Sequence, residues 1–171
     1  MIWEKGGEKM SYMVSRAELT HLQRIEELYA GARQFMADNG NPTQWGSGYP
    51  PREQVIADIH SEKLYLISDE NGIHGVFYFS ICPDPTYNEI YEGKWSSNAS
   101  YGVLHRIAGD GSGGILYAAV RFAKERISYL RIDTHRDNHI MQRALSNQGF
   151  QFCGTIYIED GTERLAFDYT I

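Results

Sequence analysis

Residues 101–122 hold the side chains best suited to chemistry: His105 and Arg106, the turn Gly109-Asp110-Gly111-Ser112-Gly113-Gly114, and an apolar run from Ile115. A glycine-rich turn that runs into a helix can hold phosphate. The first N–H groups of a helix lack intrahelical partners, the macrodipole adds partial positive charge, and glycine lets a ligand reach the backbone without meeting a Cβ. Read the other way, these residues only turn the chain. No Lys-Ser/Thr follows, so this is not a P-loop, and it is a poor dinucleotide fingerprint. His105 can exchange a proton near neutral pH, which makes it the best titratable candidate here; the alternative is a structural histidine held under a helix. Arg106 reads as an ion-pair residue. His135 and His139 form an HxxxH spacing, but no HExxH glutamate, cysteine or third ligand stands close by, so no metal is expected.

The elements that must position these residues follow from periodicity and turn chemistry. With 171 residues, 42% of them hydrophobic, the chain can bury one full core. Residues 1–9 read as an extension of a single 1–171 domain, and 11–16 as a first strand. Leu19, Leu22, Ile25, Leu28, Tyr29, Ala32, Phe35 and Met36 predict an amphipathic helix, stopped by Asn39-Gly40-Asn41-Pro42. A short helix opens at Pro51-Arg52-Glu53. Strands 64–68 and 73–80 flank Asn71-Gly72, and strands 150–159 and 163–171 flank Asp160-Gly161, both strong hairpin signals. The central strand alternates, with Tyr101, Val103, His105 and Ile107 on one face and Leu104, Arg106 and Ala108 on the other. A helix from Ile115, a buried strand at 129–133 and a helix ended by Gly149 complete the order β-α-α-β-β-β-α-β-α-β-β. Residues 82–100 are a loop too aromatic to be idle, with Tyr87, Tyr91 and Trp95 among Asp84, Glu89 and Glu92.

A net charge of −6 argues against nucleic acid and favours cationic ligands. No apolar run would cross a bilayer and no signal peptide precedes the domain, so no membrane contact and a cytoplasmic location are expected. Cys82 and Cys153 read as free thiols.

The element order, together with HRIAGDGSGG (105–114), LRIDTHRDN (130–138), MQRALSNQGF (141–150) and CGTIY (153–157), resembles the GNAT superfamily of acetyl-CoA-dependent N-acetyltransferases. The resemblance implies a single α/β (α+β) domain: a mixed, mainly antiparallel sheet, flanked by helices, whose central strand splays from its neighbour. It implies that main-chain groups of Ile107, Ala108 and Gly109 pair with the pantetheine arm. Gly111, Ser112, Gly113 and Gly114 then donate to the pyrophosphate, and Asn138 reaches the cofactor's arm. The turn departs from the family by being compressed and by carrying no cation. The family's proton-donating Tyr is also missing, its place being taken by Leu145.

Acetyl transfer needs a neutral amine, a donor for the carbonyl oxygen and a proton for the departing thiolate. His105 is the first candidate base and Glu92 the second, with a backbone N–H near Ile107 as the oxygen's donor. Trp45, Tyr49, Tyr87, Tyr91 and Trp95 would wall the acceptor pocket, where aromatic faces and nearby acids suit a cationic amine; the alternative is a satellite hydrophobic cluster under a long loop. The expected function is therefore acetyl transfer from acetyl-CoA to a primary amine of a small molecule or peptide, with homodimer formation left open. A non-catalytic acyl-CoA-binding or sensing protein is the alternative. A third reading is a serine hydrolase using Ser112, since GDGSGG resembles the GDSGG of trypsin-like proteases with one residue inserted. Those enzymes are all-β, and here the serine precedes a helix.

Overall fold

The computed structural model describes residues 11–171, and the extension expected at 1–9 lies outside the described residues. Its elements are β1 (Met13–Arg16), α1 (Leu22–Asp38), α2 (Arg52–His60), β2 (Leu64–Asp69), β3 (Gly72–Ser80), β4 (Gly102–Gly109), α3 (Ile115–Lys124), β5 (Tyr129–Thr134), α4 (His139–Asn147), β6 (Gln151–Tyr157) and β7 (Glu163–Thr170). That is the order the sequence predicts. Both hairpins form where Asn71-Gly72 and Asp160-Gly161 place them.

The strands make one sheet in the order β1-β2-β3-β4-β5-β7-β6. Every neighbouring pair is antiparallel except β4 and β5, which run parallel and pair only at Gly102↔Leu130 and Val103↔Arg131. Beyond Val103 the two strands part, and this splay is the site's foundation.

Each face of the sheet is covered because each helix carries one apolar stripe. Ala119, Val120 and Ala123 of α3 bury against Phe77, Leu104 and Leu130 on one face, with Leu145 of α4 in the same cluster. Ile25, Leu28 and Tyr29 of α1 and Val55 and Ile59 of α2 bury against Leu64, Leu66, Val76 and Ala108 on the other. A third, smaller cluster joins Tyr87, Val103, Ile156 and Ala166, with Trp95 and Tyr101 against it.

The strict alternation expected along β4 does not hold. The β3 register steps from Val76↔Ala108 to Tyr78↔His105, so β4 has one residue more than β3 across this interval. That is a β-bulge, and Arg106 takes the left-handed conformation (φ 50°) that makes it. As a result Leu104 and Ile107 both contact the α3 cluster, whereas Ala108 belongs to the α1–α2 cluster. A non-glycine residue in this region costs about 1–3 kcal/mol and needs support. The support comes from three sides: the Tyr29 hydroxyl donates to the Arg106 carbonyl (3.0 Å), Arg106 Nε donates to Asp58 Oδ2 (2.8 Å), and the guanidinium lies 4.5 Å over the Tyr78 ring.

The aromatic loop is fastened along β6. Tyr91 and Thr155 exchange both backbone hydrogen bonds, and Lys94 N–H donates to the Cys153 carbonyl. Gly93 passes so close that a Cβ there would stand 1.9 Å from that carbonyl oxygen. Trp95 Nε1 donates to the Tyr87 carbonyl, and Ser96 donates to Asp168 through both its N–H and its hydroxyl. Cys82 and Cys153 are free thiols. Among the described residues no helix is long and apolar enough to cross a membrane.

Candidate active site

A cavity of about 780 Å³ opens where β4 leaves β5. Its floor is Leu104 to Ile107 of β4 and Ile132 to Thr134 of β5; the loop between α1 and α2 brings in Gln44, Trp45 and Tyr49, and Glu159, Asp160 and Arg164 close the far side.

His105 lies on this floor, half-buried. Its Nε2 is 2.7 Å from Asp84 Oδ2, and its Nδ1 is 3.7 Å from Asp133 Oδ2. Asp84 opens a short 3-10 turn, Pro85–Tyr87, where its other oxygen accepts from the Thr86 N–H and hydroxyl. Burial pushes the Asp84 carboxyl up, but the hydrogen bonds from His105 and Thr86 outweigh it and bring the pKa down to about 2. An ionised Asp84 accepts a hydrogen bond, so the His105 Nε2 beside it carries a proton, while Nδ1 faces the side of the cavity that holds Asp133. Asp133 in turn accepts from the Tyr87 hydroxyl (2.7 Å). Desolvation, followed by the charge of Asp133, raises Tyr87 well above the usual phenol range, so it stays a donor.

Arg106 also lines the cavity, but its Nε is committed to Asp58 and its NH1 donates to the Tyr49 hydroxyl (3.3 Å). Burial pulls the guanidinium down and Asp58 more than restores it, so it remains a cation.

The proposed cofactor residues fall into two groups. Ile107 lines the cavity, and Ala108 and Gly109 continue the strand towards the glycine turn. In that turn Gly113 and Gly114 have φ of 87° and 72°, and Gly114 leads directly into α3. Asp110 alters the turn's chemistry. Its carboxylate accepts from the Ser112 N–H (3.1 Å) and hydroxyl, from His74 Nδ1 (2.9 Å) and from Arg24 (3.3 Å). The Ser112 amide, expected to serve a phosphate, is thus engaged by the chain's own anion. Asn138 lines the cavity, but its Oδ1 caps α4 at Met141 and its Nδ2 donates to Gln44 Oε1.

Ser112, His74 and Asp69 stand in the order of a hydrolytic triad, with Ser112 Oγ 3.1 Å from His74 Nδ1 and His74 Nε2 2.7 Å from Asp69. They cannot work as one. Hydrogen bonds from His74 to Asp69, then to Asp110, raise the imidazole's pKa, and its Nδ1 faces the Asp110 carboxylate (2.9 Å) as well as the serine. The Ser112 hydroxyl donates its one proton to Asp110 Oδ1, not to the imidazole.

Of the five aromatic residues assigned to the acceptor pocket, Trp45 and Tyr49 line the cavity. Tyr87 is buried beneath it and acts through Asp133. Trp95 belongs to the small cluster under the loop, and Tyr91 lies on β6 against Tyr157, so neither lines the cavity. Glu92, the second candidate base, is exposed on that same outer segment and does not reach the cavity. The reason is the loop's pairing with β6, which carries 91–94 away from β4. Leu145 is fully buried in the α3 cluster, beneath Met141. The sequence reading missed Asp133, Gln44 and Tyr78, and it placed Asp84 among the acids near the acceptor pocket without its bond to His105. The Asp-Pro-Thr cap pattern at Asp84 was the one signal that this acid is fixed in place. Among the described residues no group of His, Cys, Asp and Glu could hold a metal ion.

No protein-family model matches the sequence, and no curated protein does. Solved structures do. A GNAT-family acetyltransferase from Streptococcus agalactiae superposes with a TM-score of 0.84 at 26% identity, covering 95% of this chain and 96% of that one. A GNAT-family acetyltransferase from Listeria monocytogenes gives 0.69 at 19% identity, covering 94% and 95%. The yncA structure from Salmonella typhimurium, which holds its cofactor acetyl-CoA, gives 0.60 at 10% identity, covering 93% of each chain. Over nearly its whole length this chain has the fold of the GNAT acetyltransferases.

Proposed function

We propose that the protein transfers an acetyl group from acetyl-CoA to a primary amine in the cleft between β4 and β5, with His105 as the base. The observation that carries this reading is His105, fixed by Asp84 on the floor of a cavity that exists only because β4 leaves β5. The residues present suit the cofactor. Among the described residues, the β5 side of β4 has no strand partner beyond Val103, and Thr134 Oγ1, buried on the cavity wall, has no hydrogen-bond partner. Ile107, Ala108 and Gly109 would meet the pantetheine arm, and the backbone N–H groups of Gly113 and Gly114 the pyrophosphate.

Acetyl-CoA, when bound, supplies the acetyl group as a thioester open to attack at its carbonyl carbon. His105 Nδ1 would take the ammonium proton of the acceptor and free its lone pair; as that nitrogen bonds the carbonyl carbon the C–S bond would break, and the proton the nitrogen then sheds would go to the departing thiolate. The resulting imidazolium lies between the carboxylates of Asp84 and Asp133, an arrangement that holds the positive charge without moving either acid. A β4 backbone N–H beside the bulge is the donor for the carbonyl oxygen. The acceptor is a cationic amine: Asp84, Asp133, Glu159 and Asp160 line the cavity, while its two arginines already face Asp58 and Asp133. Release of free thiol from acetyl-CoA with a panel of amines tests the proposal.

A second reading, acyl-CoA binding without transfer, has one observation in its favour: Asp110 already engages an amide of the phosphate turn. It predicts acetyl-CoA binding with no amine-dependent thiol release.

A further inference from the structure

The loop between α1 and α2 ties together the two walls of the cleft. On the β4 side, Trp45 meets Tyr29 edge-on (5.7 Å between centroids) and the Tyr49 hydroxyl accepts from Arg106. On the opposite side, Gln44 Oε1 accepts from Asn138 Nδ2 (3.0 Å), at the head of α4, and the Gln44 carbonyl accepts from Arg164 NH2 (3.2 Å), on β7. Asn41, itself buried, donates to the same Gln44 oxygen (2.7 Å). Gln44 therefore fastens the far end of a strap whose near end is held by Trp45 and Tyr49.

From this strap, and resting on the transferase reading above, we infer that the acceptor is a small amine carrying a second cationic group and no carboxylate, and that Gln44 excludes peptides. Three observations converge. The cavity of about 780 Å³ must hold the reacting end of the donor as well as the acceptor, which leaves room for a small molecule. The strap bars an acceptor whose chain continues out past Gln44. The acids on the floor are committed, Asp84 to His105 and Thr86, Asp133 to Tyr87 and Arg164. Of the two acids on the hairpin between β6 and β7, Asp160 accepts from the Thr162 N–H (2.8 Å), and Glu159 beside it faces a second ammonium group; both would repel a carboxylate.

The test follows thiol release from acetyl-CoA with 1,4-diaminobutane, glutamate and an alanine-led hexapeptide without lysine, for the native protein, Gln44→Ala and Gln44→Glu. The native protein uses the diamine at least ~10-fold better than either competitor, a margin that one charge and one steric barrier readily supply. Gln44→Ala narrows the gap between diamine and peptide, and Gln44→Glu, which still accepts from Asn138 and Asn41, restores it. Glu159→Gln with Asp160→Asn raises KM for the diamine by more than it raises KM for butylamine. A native protein that acetylates the peptide or glutamate as well as the diamine overturns the inference and leaves the transferase reading standing. If no amine releases thiol while acetyl-CoA still binds, the transferase reading falls and the inference falls with it.

Discussion

At the scale of single residues, the account depends on a histidine whose hydrogen-bond partner lies 21 positions away in the chain. His105 was visible as a candidate because its residue type can move a proton at neutral pH. Its dependence on Asp84 was not visible, because a sequence gives no distance between a loop acid and a strand. Asp84→Asn keeps the shape but removes the charge that fixes His105 and faces its imidazolium. The expected result is a rate ~10-fold to 100-fold lower, with acetyl-CoA affinity kept. Steady-state kinetics with a parallel titration of coenzyme A checks this. Leu145 gives the opposite lesson. The family resemblance implied that a tyrosine there would supply the missing acid near the departing sulfur, but Leu145 is fully buried in the core. Leu145→Tyr is therefore expected to overpack α4 against the sheet and destabilise the protein by about 1–3 kcal/mol, read as a lower Tm, rather than to speed it up.

At the scale of elements, hairpin turns and apolar periodicity made the order of strands and helices legible, since these are local signals. The bulge in β4 was not: the polar pair His105-Arg106 breaks the apolar alternation between Leu104 and Ile107, but a polarity pattern does not say which residue is the extra one. The bulge is imposed from outside, by Tyr29 of α1 and Asp58 of α2. Asp58 is 4% exposed, and breaking a buried ion pair from one side typically costs about 3–5 kcal/mol. Asp58→Ala should lower Tm by roughly 10 °C and lower activity at temperatures where the variant is still folded, since the bulge aims His105. Retention of both would detach the bulge from the site. The glycine turn needs a gentler probe than valine, because at φ of 87° and 72° any side chain on Gly113 or Gly114 strains the backbone before it meets a ligand. Asp110→Asn is that probe. Removing the anion that engages the Ser112 amide should tighten acetyl-CoA several-fold, and a calorimetric titration reads it.

At the scale of the whole molecule, His74 joins β3 to β2 through Asp69, to the turn through Asp110 and Ser112, and through Asp110 to Arg24 of α1, which pairs also with Glu27; Tyr12 stacks at its side. Its folded pKa is raised, by the hydrogen bond to Asp69 first and that to Asp110 next. The stability it contributes is therefore complete below the ordinary histidine range and is lost as pH rises through the raised value. Asp84 behaves in the reverse sense: its contribution is present above the usual carboxylate range and disappears as pH falls towards about 2. Denaturant titrations across pH should show the loss on the alkaline side of histidine's range, and His74→Gln should abolish that slope.

The central claim is that the splay between β4 and β5 is a transferase site with His105 as its base. The measurement that bears on it most directly is the pH–rate profile of amine-dependent thiol release from acetyl-CoA, for the native protein and His105→Ala, with coenzyme A affinity measured alongside. The account predicts an acidic limb in the native profile, as His105 must be neutral to accept the amine's proton. In His105→Ala it predicts a rate at least ~100-fold lower, no such limb, and nearly unchanged coenzyme A affinity. A His105→Ala protein that binds coenzyme A and turns over with the native profile would contradict it.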